Sequence, residues 1–233
     1  MNTLVTEIDT LVNGKPTLEA LALLADRFPN RIVFSTSFGV EDQVLTHFIF
    51  SNNLPIRVFT LETGRLFPET YYVWNRTLET YKKEIEAYFP ETNAVQRLIR
   101  EKGPSSFYES VENRKECCRI RKIEPLQRAL EGAECWITGI RAEQSGNRQD
   151  MSQLEWDPGH QLIKFHPIYH WSLDEVWKYA KANHIPYNPL HDRGFPSIGC
   201  APCTRAIGEG EDFRAGRWWW EDQSKKECGL HAT

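Results

Sequence analysis

Six cysteines are distributed along this chain, and their spacing separates them by use. Cys117 and Cys118 are adjacent, while Cys200 and Cys203 flank Ala201-Pro202. Cys228 stands apart in Lys225-Lys226-Glu227-Cys228-Gly229-Leu230-His231. A Cys-x-x-Cys turn can point two thiolates at one metal centre, and Gly199 and Pro202 suit such a turn. Adjacent cysteines on a helix diverge, which suits a multi-iron cluster better than one tetrahedral zinc. Four thiolates from two segments meet the requirement of a [4Fe–4S] cluster held by Cys117, Cys118, Cys200 and Cys203. Structural zinc and two unrelated buried pairs are the alternatives. Lys115, Arg119, Arg121 and Lys122 would offset the negative charge of a thiolate-ligated cluster.

Cys228 has a different chemistry. Its neighbours Lys225, Lys226 and His231 favour the thiolate, the form that attacks electrophiles; an incidental tail thiol is the alternative. No second cysteine lies in the tail. A covalent intermediate on Cys228 would therefore be resolved by a thiol from elsewhere, most simply another protein. Cys135, in Cys135-Trp136-Ile137-Thr138-Gly139, reads as a small core residue.

Three further segments suit anions. Residues 114–128 carry Arg114, Lys115, Arg119, Arg121, Lys122 and Arg128 against Glu116 and Glu124. Arg214 and Arg217 offer guanidinium forks that match sulfate or phosphate oxygens. Ser35-Thr36-Ser37-Phe38-Gly39-Val40-Glu41-Asp42 runs from a strand into a helix, where backbone N–H groups and hydroxyls can cradle an anion. It has neither the Gly-Lys-Ser/Thr of a Walker loop nor the dinucleotide glycine pattern. An ordinary strand-to-helix turn and a solvated charged face are the competing readings. Trp218, Trp219 and Trp220 cannot all face one way, and anchoring the start of the tail is their expected role.

The elements that would position these groups alternate. Helices are expected at 17–27 with Thr17 as cap, at 41–51, from Pro68 to about Tyr88, around 105–131 with Pro125 starting or kinking a piece, and at 172–183 behind a Ser172–Glu175 capping box. Strands are expected at 31–35, 56–60, 135–139 and 162–166, with a weaker one near 94–99. After Pro186 no periodicity is clear. This alternation argues for an α/β fold with a mostly parallel sheet flanked by helices. Ligands of such sheets sit beyond the carboxyl ends of the strands, here at Thr36–Gly39, Leu61–Arg65 and Gly139–Arg148. The 233 residues, 40% apolar, suffice for one large domain, placed at 1–220, followed by a mobile catalytic tail at 221–233. A net charge of −4 argues against a nucleic-acid partner. No apolar run approaches a membrane span and no signal peptide is evident, so a cytoplasmic protein is expected. In that compartment paired cysteines favour metal binding or catalysis over disulfides.

The cysteine motifs, Arg214-Ala215-Gly216-Arg217-Trp218-Trp219-Trp220-Glu221 and Glu227-Cys228-Gly229-Leu230-His231 together resemble bacterial-type assimilatory adenylylsulfate (APS) reductase. Thr36–Asp42, Leu61-Glu62-Thr63-Gly64-Arg65 and Trp136–Gly139 match that family's nucleotide-site motifs. The resemblance runs from about residue 30 to 231. It departs at Glu62 and Phe67, where the family pattern has Asp and His, and no fused thioredoxin-like domain is expected. The resemblance implies an adenine nucleotide α-hydrolase-like fold, related to the ATP pyrophosphatases. It implies attack of Cys228 on the sulfur of APS, release of AMP, and liberation of sulfite by thioredoxin or a similar dithiol. Lys122, Arg214, Arg217 and His231 would surround the sulfate and phosphate. Ser37, Gly39, Asp42, Leu61, Gly139 and Arg148 would hold the nucleotide. A homo-oligomer is expected. Use of the 3′-phosphorylated nucleotide PAPS is the nearest alternative; a tRNA-thiolating iron–sulfur enzyme and a non-enzymatic cluster-bearing sensor are more distant ones.

Overall fold

The computed structural model describes residues 2–144 and 151–222. Six strands form one sheet: β1 (Ile32–Ser35), β2 (Arg57–Leu61), β3 (Glu86–Tyr88), β4 (Cys135–Ile137), β5 (Leu154–Asp157) and β6 (Leu162–Phe165). Their order is β3-β2-β1-β4-β6-β5, and every pairing is parallel except β5 with β6. Among the described residues the helices are α1 (Asn2–Val12), α2 (Thr17–Arg27), α3 (Val40–Ser51), α4 (Pro68–Tyr81), α5 (Thr92–Lys102), α6 (Val111–Cys118), α7 (Glu124–Ala129) and α8 (Leu173–Ala182). No helix among those residues is long and apolar enough to cross a membrane.

The two-residue period of a strand explains why β1 and β4 occupy the centre. Ile32 and Phe34 belong to one apolar layer, with α2, α3 and α8, whereas Val33 belongs to the other, with Leu126 and Leu130. β4 divides in the same way, Cys135 and Ile137 to the first layer and Trp136 to the second. Strands covered on both faces need such continuous apolar runs. Cys135 is the core residue its neighbours implied: it has no exposed surface, and burial drives its thiol far above the ordinary range.

Several boundaries differ from those expected. Thr17 is the first residue of α2, and Pro16 occupies the cap position. α4 ends at Tyr81 because Lys82 adopts a left-handed conformation, φ 53°. The segment around 94–99 is helix α5, not a strand; the strand on that side is β3. Three elements fall outside the expectations: α1, β3, which lies where a helix is expected to continue, and β5. β5 is an edge strand whose Glu155 and Asp157 both approach Lys164 Nζ at 3.4 Å, and those acids conceal its strand character. Lys164 itself is wholly buried on β6.

The helix around 105–131 holds the feature most relevant to function. A short 3₁₀ turn (Ser106–Tyr108) precedes α6, and α6 joins α7 through a π segment, Arg119–Ile123. Pro125 lies in the first turn of α7 and so starts a piece of this helix, as expected, without interrupting it. Its ring would clash with a carbonyl one α-turn back, and the ladder widens just before it, the Glu124 N–H bonding the Arg119 carbonyl. Such π bulges concentrate at functional sites, and this one directly follows Cys117-Cys118 and carries Lys122.

Candidate functional site

The carboxyl ends of β1, β2 and β4 open into a cavity of about 220 Å³. Ser37, Gly39 and Asp42 enter it from the turn after β1, Leu61 and Thr63 from the end of β2, and Thr138 and Gly139 from the end of β4. Lys122 reaches it from the π segment. The segment after Pro186 closes the remaining side with Gly199, Cys200, Arg214, Arg217 and Trp218. Nine candidates from six separate stretches thus share one cavity: Ser37, Gly39, Asp42, Leu61, Lys122, Gly139, Cys200, Arg214 and Arg217. Arg148, Cys228 and His231 lie outside the described residues.

The turn after β1 is organised by Asp42. Its Oδ2 accepts the Ser37 N–H at 2.6 Å and the Ser37 hydroxyl at 2.7 Å, closing the loop onto the first turn of α3. Phe38 takes a positive φ of 61° there, with its ring stacked on Trp74 at 5.3 Å. Gly139 meets the other oxygen of the same carboxylate: a Cβ at this position would lie 2.2 Å from Asp42 Oδ1. Gly199 is constrained in the same way, since its Cβ would lie 2.3 Å from the Arg217 guanidinium.

A second, smaller cavity adjoins the first. All four paired cysteines line it, together with Arg65, Arg114, Arg121, Lys122 and Trp218. Lys122, Cys200 and Trp218 border both cavities. Among the described residues no three His, Cys, Asp or Glu side chains converge closely enough to hold a single metal ion. The sulfurs surround a space rather than grip a point, yet they sense one another. Burial raises the Cys117 thiol, with Cys200 adding to the rise and Arg65, Arg121 and Lys122 opposing it. Burial and Cys200 push Cys203 up to about 12, against the pull of Lys122 and Arg217.

The polar shell of this second cavity is built by the loops around it. Thr63 Oγ1 lies 3.4 Å from Cys200 Sγ and accepts the Arg65 N–H at 3.2 Å, which leaves its own proton available to the sulfur. The Thr63 carbonyl receives Arg121 Nη1 at 2.6 Å, and the Arg65 carbonyl receives the Ala201 N–H at 2.8 Å. Arg114 is wholly buried and makes a two-pronged pair with Glu221, Nε to Oε1 at 2.9 Å and Nη2 to Oε2 at 2.8 Å. Burial works against its charge, but the Glu221 carboxylate and the Cys118 sulfur outweigh that cost and raise its pKa. Arg114 and Arg217 both stack on Trp218, at 4.6 and 4.8 Å from the ring centre. Trp218 is thereby the anchor expected of the tryptophan run, while Trp219 remains partly exposed.

The two departures in the loop after β2 acquire local roles. Buried Glu62 accepts the Gly64 N–H at 2.5 Å. Burial and a hydrogen bond to Glu62 move the Tyr71 phenol up to about 12. Phe67 packs edge-on against Phe195, with ring centres 5.7 Å apart. Glu41, Thr63, Arg65, Arg114, Thr138, His191 and Trp218 complete the site and were not singled out from sequence as site residues. All but His191 lie in stretches noted for their residue types, but nothing in the spacing of those stretches signals a shared site.

Residues 31–206 match the phosphoadenosine phosphosulfate reductase domain. The chain is 51% identical over 220 residues to the adenosine 5′-phosphosulfate reductase of Allochromatium vinosum, covering 93% of this chain and 86% of that one. The corresponding Burkholderia cepacia protein is 50% identical over 216 residues, with the same coverage of 93% and 86%. Among solved structures, the phosphoadenylyl-sulfate reductase of Candida auris in a phosphate complex superposes with a TM-score of 0.75 at 25% identity, over 89% of this chain and 98% of that one. An FMN adenylyltransferase of Candida glabrata shares the fold at a TM-score of 0.52 and 15% identity, over 97% of this chain and 74% of that one. The architecture is thus the adenine nucleotide α-hydrolase-like one. With its domain match and its half-identical relatives, the chain belongs to the phosphoadenosine phosphosulfate reductase family, beside the adenosine 5′-phosphosulfate reductases.

Proposed function

We propose that the chain reduces adenosine 5′-phosphosulfate to sulfite and AMP in sulfate assimilation, through an S-sulfonated Cys228 that thioredoxin or a similar dithiol resolves. The observation that carries this reading is the convergence of Lys122, Arg214 and Arg217 on one cavity at the carboxyl ends of the central strands. A transferring sulfuryl group spreads negative charge over its oxygens, so fixed cations and backbone donors lower the barrier by positioning and charge stabilisation. The Cys228 thiolate attacks sulfur; a sulfur–sulfur bond forms, the bond from sulfur to the phosphate oxygen breaks, and AMP departs with the electron pair. A dithiol thiolate then attacks Cys228 Sγ, sulfite leaves with its electron pair, and the second thiol releases Cys228 by closing a disulfide. His231 and Arg148 complete the anion and nucleotide contacts in this reading. A cytoplasmic homo-oligomer fits it, as does a tail that begins beyond Glu221.

The four paired cysteines would hold a [4Fe–4S] cluster. Their cavity suits one on three counts. The thiols surround a space, not a point. Arg65, Arg114, Arg121 and Lys122 line it and match the negative charge of a thiolate-bound cluster. Trp218 Nε1 and Arg121 Nε are buried there without a hydrogen-bond partner, donors suited to sulfur acceptors. When bound, the group would supply structural cohesion and a local charge distribution, while the dithiol supplies the electrons. Lys122, bordering both cavities, would orient the sulfate against that charge.

Incubation with adenosine 5′-phosphosulfate alone, followed by intact-mass measurement, should reveal one added SO₃ on Cys228 that reduced thioredoxin removes. An unmodified mass with full sulfite production would exclude the intermediate. A Gly139→Ala variant tests the nucleotide cavity. Its methyl group must displace Asp42 or the backbone, and AMP affinity by calorimetry should fall roughly tenfold or more, about 1.4 kcal/mol. Unchanged affinity in a folded variant would place the nucleotide elsewhere.

A further inference from the structure

Glu41 is a carboxylate inside a cavity that this reading assigns to an anionic nucleotide, and the cationic lining does not explain it. The side chain is fixed from behind. Oε1 alone accepts three hydrogen bonds: Arg141 Nε at 3.0 Å, Arg141 Nη2 at 3.0 Å and Gln144 Nε2 at 2.9 Å. Arg141 is almost fully buried, so the ion pair resembles a structural mount. Among the described residues Oε2 carries no hydrogen bond, and it turns toward Gly39, lying 3.8 Å from the position of a Cβ there. Gly39, Gly139, Gln144 and His191 line the same cavity as Glu41.

His191 adds a second acceptor to this wall. Its Nδ1 lies 2.9 Å from the Phe195 carbonyl and must donate to it, which leaves Nε2 bare. Nε2 is buried with no partner. Burial holds the ring below the ordinary histidine range, against the opposing influence of Glu41, so it remains neutral. A rigid carboxylate oxygen and a bare ring nitrogen can only accept hydrogen bonds. They match the donors of a nucleoside and repel an anion.

We propose that Glu41 Oε2 is a substrate-positioning and specificity-determining group that accepts a hydrogen bond from the nucleoside part of the substrate, either a ribose hydroxyl or the exocyclic amine. It rests on the reading of this cavity as the nucleotide site. The cations hold the phosphosulfate while Glu41 fixes which way the nucleoside lies.

Calorimetric titration of the wild-type chain with AMP, 2′-deoxy-AMP, 3′-deoxy-AMP and purine riboside 5′-monophosphate identifies the donor. One of the three analogues should bind at least tenfold more weakly than AMP. In Glu41→Gln, whose amide changes the charge but not the shape, the penalty for that analogue should collapse to threefold or less. Glu41→Asp keeps the ion pair with Arg141 but withdraws the oxygen by one methylene, and it should show the same collapse if Glu41→Gln does not fold. A flat analogue series in wild type, or an equal penalty in the folded variants, would overturn the role of Glu41 while leaving the nucleotide site in place. Failure of AMP itself to bind would overturn both.

Discussion

A Cys228→Ser variant should bind AMP normally, keep the visible absorption of the wild-type protein, and form no detectable sulfite. The expected loss is complete because the substitution removes the nucleophile and the only site for the adduct. A hydroxyl is almost wholly protonated at neutral pH and is a far weaker nucleophile than a thiol, whose lower pKa makes its anion accessible. Even a serine sulfate ester, if formed, would offer no sulfur for a dithiol to attack. Trp218 lines the cavity, and the Arg114–Glu221 pair fixes the chain three residues later. From Asp222, the last described residue, six further residues lead to Cys228, an extended reach of at most about 21 Å. Sulfite release, AMP calorimetry and the absorption spectrum should be measured on one preparation. Sulfite formation at the wild-type rate would end the case for Cys228, and loss of AMP binding would point to a structural role for the tail.

Much of this arrangement was legible because it depends on local rules. The central strands announced themselves as short apolar runs, and the Ser172–Glu175 capping box is present as read, with both reciprocal hydrogen bonds. The ligand-side loops followed from parallel-sheet topology alone. What escaped the sequence depends on partners far along the chain. β5 carries acids that make sense only beside buried Lys164. The π segment is a compromise between Pro125 and a helix that packing holds continuous. Residues 94–99 are apolar at 94, 95, 98 and 99, a spacing that fits a helix rather than a strand, and Leu98 packs with Phe107 and Ile120 beside the cysteines. The cysteine pairs were identifiable as a set of four, but Arg114 and Glu221 lie 107 positions apart, and no spacing rule connects them. Glu41 shows the same limit. Its motif reads as an anion cradle, yet its charge opposes an anion, and only the contacts with Arg141 and Gln144 explain how it is held.

The second large effect is expected at Cys200. Cys200→Ser should bleach the protein, lower its iron and acid-labile sulfide content, and abolish sulfite formation even though Cys228 is intact. Cys200 borders both cavities, lies 3.4 Å from Thr63 Oγ1, and acts electrostatically on Cys117 and Cys203. A serine oxygen is a harder and far more basic ligand than a thiolate, so a four-sulfur site loses one corner. The damage should extend beyond the metal. Arg65, Arg114, Arg121 and Lys122 crowd this cavity, and removing the anionic centre leaves their charges partly uncompensated. Breaking one buried ion pair costs about 3–5 kcal/mol, which for a chain of this size corresponds to a fall in melting temperature of roughly 10 °C. Because Lys122 borders both cavities, substrate affinity should decline with stability rather than independently of it. Zinc alone in the wild-type protein, found by metal analysis in stoichiometric amount, would replace the cluster with a structural ion. Unchanged iron and melting temperature in Cys200→Ser would remove Cys200 from the ligand set.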